Sequence, residues 1–98
     1  MREVVIPDSL WYNIGRIKDY LIYELKLSET AAEARIKRME DFVASLATPA
    51  DYALCRFKKW RELGYRCAVF EKSWVFAYEV FDNGVIVRNM SHAATLVE

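Results

Sequence analysis

The chain is predicted to be an α+β domain, with an antiparallel helix hairpin packed on one face of a mainly antiparallel sheet, in the order β-α-α-β-β-β. Three observations lead there: two stretches with apolar residues at helical spacing in the first half, very few residues between them, and three β-branched and aromatic runs in the second half. With 98 residues the chain makes one domain, 1–98, large enough for a modest core.

Residues 2–6 read as a short strand closed by Pro7. Asp8 or Ser9 then caps a helix whose positions Leu10, Ile14, Ile17, Leu21 and Leu25 fall on one face. The opposite face mixes polar residues with Trp11, Tyr12, Tyr20 and Tyr23, which suits either packing under neighbouring loops or a binding surface. Thr30 and Glu33 have the form of a capping box for a second helix. Its stripe is Ala32, Ile36, Met39, Val43 and Leu46, and Thr48-Pro49 discourages continuation past about residue 47.

Strands are expected at 65–70, 74–81 and 85–90, with Asp82-Asn83-Gly84 as a turn. In the middle strand Trp74, Phe76, Tyr78 and Val80 share the face expected to meet the helices. Residues 51–64 are harder to assign: 53–60 fit a helical turn or two, or an irregular crossover that carries charged side chains.

Apolar residues make up 54% of the chain and charged ones 29%, the balance of a folded globular protein rather than a disordered tail. No apolar run argues for a membrane span and no signal-peptide pattern opens the chain, so a cytosolic address is expected, with no membrane partner. Cys55 and Cys67 form no metal-ligand spacing with the lone His92, so two reduced thiols, no metal and no cofactor are expected.

The formal net charge is zero, yet residues 56–98 hold seven Lys/Arg against five Asp/Glu. Arg56, Lys58, Lys59, Arg61 and Arg66 fall within eleven residues together with Phe57, Trp60 and Tyr65. Cations hold phosphates and rings stack on bases, so this interleaving suits single-stranded RNA. A solvated crossover or a contact with an acidic protein accounts for the same residues. His92 has the near-neutral pKa type that a general acid or base needs, although packing or surface histidines are common. Arg66 and Arg88 lie on predicted strands, where a sheet can fix a guanidinium against a phosphate. Glu71 and Glu79 are proton acceptors whose spacing does not single them out as a pair.

Several stretches, in this order, resemble the RelE/ParE superfamily across nearly the whole chain. They are Val4-Val5-Ile6-Pro7 before a helix, Ile17-Lys18-Asp19-Tyr20-Leu21 within it, and Ala31-Ala32-Glu33 opening the next. Residues 42–49, Leu63-Gly64-Tyr65-Arg66, the aromatic strand 74–80 and a last strand ending in His92 follow. Members are toxins of bacterial type II toxin–antitoxin systems, plasmid stabilisation proteins among them.

The resemblance implies a cognate antitoxin whose flexible arm orders on the toxin, admits a homodimer, and offers two targets. RelE-like members cut messenger RNA on the ribosome, and ParE-like members poison DNA gyrase. A non-toxic member acting as a protein-interaction module is the alternative. Carried over by position, the resemblance casts His92 and Arg66 as catalytic and Lys58, Lys59 and Arg61 as phosphate- and RNA-binding, a set that Arg88 joins from its place on a predicted strand. The chain departs from the pattern after His92, where residues 93–98 lack the usual glycine and cations, and Arg88 does not align with the commoner spacings. Zero net charge is also unusual for a protein that enters the anionic ribosome.

Overall fold

Four strands and three α-helices make up the computed structural model, which describes residues 2–95. In chain order they are β1 (Glu3–Val5), α1 (Asp8–Tyr23), α2 (Glu29–Ala44), α3 (Lys58–Glu62), β2 (Arg66–Phe70), β3 (Trp74–Phe81) and β4 (Gly84–His92). Short 3-10 turns, Ser45–Ala47 and Ala93–Thr95, follow α2 and β4. The sheet order is β1-β4-β3-β2. β1 runs parallel to β4 and the other two pairings are antiparallel, which makes a mixed sheet in an α+β molecule.

Pro7 ends β1 and stands as the N-cap of α1, so Asp8 is the first helical residue instead of the cap. Its carboxylate still faces the positive end of the helix dipole. Leu10, Ile14, Ile17 and Leu21 are buried as their spacing predicts, whereas Leu25 lies beyond the helix and is exposed. α2 begins two residues earlier than the Thr30–Glu33 pattern suggests. Ser28 is the cap, accepting a hydrogen bond from the Ala31 N–H at 3.1 Å.

Both helices cover one face of the sheet. Their apolar stripes meet Ala68, Phe70, Phe76, Tyr78, Val85, Val87 and Met90 in the main core. Trp74 packs at its margin, while Val80, expected on the same face, is 41% exposed near the end of β3. The strip formed by Trp11, Tyr12, Tyr20 and Tyr23 is not packed under loops. All four are exposed, Tyr23 to 67%.

The other face has a cover that the sequence pattern does not reveal. Val75 and Ala77 point away from the hairpin, as alternation along β3 requires, and meet Trp60 and Cys55 in a second, smaller core. α3 ends in a Schellman arrangement: the Gly64 N–H donates to Arg61 O and the Tyr65 N–H to Trp60 O, with Gly64 at φ 78°.

Cys55 and Cys67 are joined in a disulfide, which corrects the expectation of two reduced thiols. Residues 53–55 run antiparallel to the start of β2, through the Leu54–Arg66 bridge, Cys55 N–H to Tyr65 O and Cys67 N–H to Ala53 O. That pairing brings the two α-carbons within 4.8 Å. The crossover shows no strand period in sequence, so this juxtaposition could not be foreseen.

Ala77 pairs with Asn89 but Tyr78 pairs with Val87, which leaves Arg88 as the extra residue of a β-bulge. Among the described residues no helix is long and apolar enough to cross a membrane, and no three His, Cys, Asp or Glu side chains cluster to hold a metal ion.

Candidate functional site

The site is a cleft between β4 and α3. The bulge turns Arg88 toward the sheet face that α3 covers, and Asn89 and Ser91 line the same cleft from β4. Opposite them stand Phe57, Lys59, Trp60, Leu63 and Tyr65, delivered by α3 and its flanks. The cleft holds about 470 Å³ and opens broadly to solvent.

Two cations, Lys59 and Arg88, therefore meet across one opening with an amide, two hydroxyls and aromatic rings between them. Trp60 is buried in the second core and meets Phe57 edge-on with ring centroids 5.3 Å apart, so it anchors the wall and is not a free stacking platform. Phe57 and Tyr65 are half-buried, pack against the second core and line the cleft beside Lys59 and Arg88. Arg88 Nε and Nη2 both donate to Glu79 Oε1, at 3.0 and 2.7 Å. A phosphate entering the cleft competes with that carboxylate for the same donors.

Of the other residues singled out in sequence, Lys58 and Arg61 lie on α3 but do not line the cleft. Lys58 Nζ is 4.0 Å from Glu62 Oε1 one turn on, and Arg61 Nη1 donates to Arg56 O at 3.1 Å. Arg66 and His92 share the hairpin side of the sheet, by register with Tyr78 and Trp74. Four strand positions and two strand spacings separate them, about 16 Å between α-carbons, with buried Phe76 in between. The two are therefore not neighbours on that face.

Arg66 Nη1 donates to Tyr52 O at 2.7 Å, holding the crossover against β2. The Ala94 N–H donates to His92 Nδ1 at 3.1 Å, and the ring meets Trp74 edge-on at 4.9 Å. An accepting Nδ1 places the proton of the neutral ring on Nε2. His92 thereby fastens the end of β4 to the turn that follows.

A second polar group clamps the chain away from the cleft. Arg2 forms an ion pair with Asp51, whose Oδ1 also accepts from the buried Tyr78 hydroxyl at 3.3 Å, while the Tyr52 N–H donates to that hydroxyl at 2.9 Å. The Arg2 guanidinium, more than the tyrosine, holds the Asp51 carboxyl below its ordinary pKa. Burial pushes the Tyr78 phenol above its own.

Sequence reasoning missed Asn89 and Ser91 as cleft residues. Their spacing of two is a usable sign of a shared strand face, but the bulge that aims Arg88 with them leaves no mark in composition. No family model, curated protein or solved structure matches the chain.

Proposed function

We propose that this chain is the toxin of a bacterial type II toxin–antitoxin pair of the RelE/ParE kind, and that it grips RNA in the cleft between α3 and β4. The observation that carries the RNA part is the convergence of Lys59 and Arg88 on one opening beside half-buried Phe57 and Tyr65. Phosphate neutralisation by two cations next to ring faces is the minimal chemistry for a single strand. The element order, with its hairpin over one face of the sheet, supports the toxin part.

In this reading Lys59 and Arg88 hold a backbone phosphate and stabilise the charge that grows on it when the neighbouring 2′-hydroxyl attacks. His92 and Arg66 lie on the hairpin face and act through the fold. Induced expression in a bacterium is expected to stop growth and fragment translated messages. Lys59→Glu combined with Arg88→Glu relieves both effects, and His92→Ala relieves neither. Relief by His92→Ala, with full toxicity in the double reversal, overturns the assignment.

A gyrase-poisoning mode is the second reading, favoured by the separation of about 16 Å between the α-carbons of Arg66 and His92, which does not bring that pair side by side. It requires purified protein to block supercoiling while messages stay intact. The exposed Trp11, Tyr12, Tyr20 and Tyr23 suit a macromolecular partner such as the antitoxin, or the partner of a non-toxic interaction module. Growth without defect, together with tight binding to the product of the adjacent gene, selects the module.

A further inference from the structure

We infer that the Cys55–Cys67 disulfide is a redox latch on the α3 wall of the cleft. α3 lies wholly inside the ring that this bond closes, since Lys58–Glu62 falls between the two cysteines. A five-residue helix does not hold itself in water, because nucleation is unfavourable and few hydrogen bonds follow. What holds α3 down is the second core of Cys55, Trp60, Val75 and Ala77, together with the short pairing of residues 53–55 on β2.

None of those contacts belongs to the main core, which is built from α1, α2, the turn after α2 and the sheet. The wall can therefore open while the hairpin and the sheet stay in place. With the bond intact, an opened wall remains a tethered ring and gains little conformational freedom. Once the bond is cut, the same segment becomes a loop between the clamp at residues 51–52, which Arg2, Tyr78 and Arg66 hold, and β2, and the open state is favoured by the released loop entropy.

The chemistry balances as thiol–disulfide exchange. A dithiol reductant attacks as its thiolate, and Cys67, half-buried, is the reachable sulfur, whereas Cys55 is 1% exposed. Sγ of Cys55 leaves as a thiolate and takes a proton. The second thiol of the reductant then displaces Cys67, so the chain gains two electrons and two protons and the reductant becomes a disulfide.

Hydrogen exchange of the full chain tests the latch, comparing protein oxidised with oxidised glutathione and the same protein treated with dithiothreitol. Amides of residues 58–65 are expected to exchange roughly tenfold to a hundredfold faster after reduction, with α1, β3 and β4 unchanged. Cys55→Ala is expected to behave like the reduced chain and to ignore dithiothreitol; if that variant does not fold, the reduced native chain decides the matter alone.

Unchanged protection of α3 on reduction overturns the latch. So does acceleration throughout the molecule, which makes the bond a general brace, and so does a chain that keeps two free thiols in oxidised glutathione. Weaker binding of a single-stranded oligoribonucleotide after reduction is a consequence that rests on the RNA reading above. If the oxidised chain binds no RNA, that reading fails while the exchange result still judges the latch.

Discussion

At position 84 a side chain is excluded by backbone from the other end of the chain: a β-carbon there would lie 2.3 Å from the carbonyl oxygen of Glu3. Gly84→Ala is expected to push β1 off β4 and to destabilise the fold by about 2–3 kcal/mol, read as a lower urea midpoint. Asn83-Gly84 reads in sequence as a hairpin signal, and a turn does form at residues 82–83. The glycine, however, is needed for the approach of β1 and has no positive φ. That reason depends on a pairing between residues far apart in sequence, so local pattern cannot supply it. The opposite case stands at the β2–β3 turn, where Glu71 and Lys72 both adopt left-handed backbone, with φ 48° and 64°. Glu71 is held there by Arg35 and Arg38 of α2, at 3.5 and 2.9 Å. Lys72 forms none of the ion pairs at this turn, so Lys72→Gly is expected to stabilise the protein by about 1 kcal/mol, measured by the same denaturation.

Among the elements, the clearest pH dependence belongs to the clamp that joins β1, the crossover and β3. The folded pKa of Asp51 is depressed by Arg2 and, to a smaller extent, by Tyr78. Its stabilising contribution is therefore present above the unfolded value near 3.9, and is lost as pH falls through the folded pKa below it. The gap in urea midpoint between the native chain and Asp51→Asn is expected to be wide near pH 6 and to narrow on acidification below about 4. A gap that stays constant over that range removes the ion pair as its cause. The helices were legible because four buried positions of α1 recur every three or four residues, and β3 because its alternation sorts Phe76 and Tyr78 from Val75 and Ala77. α3 was not legible, since its only buried residue is Trp60 and one apolar position makes no period. Sequence groups the same residue with the base-stacking rings; burial moves it into the supporting wall.

For the molecule as a whole, a formal charge of zero means that the RNA binding proposed above rests on local cations and not on a long-range field. With Lys59 and Arg88 as the contacts, the logarithm of the binding constant for single-stranded RNA is expected to fall with log salt at a slope of about −1.4, and the double charge reversal to flatten it. A slope several times steeper would mean that Lys58, Arg61 and their neighbours also bind. The cleft was half visible from sequence: its cations and rings stood out in composition, but whether Arg66 and His92 joined them was a question of register. Register placed both on the hairpin face, about 16 Å apart. The parallel match of Glu3 with Gly84 has a further consequence for synthesis and folding. β1 leaves the ribosome before β4 and has no partner until β4 follows, and a pairing of such long range is of the slow kind. A nascent chain halted before residue 84 lacks both the neighbour that Val4 needs and the Arg88 bank of the cleft.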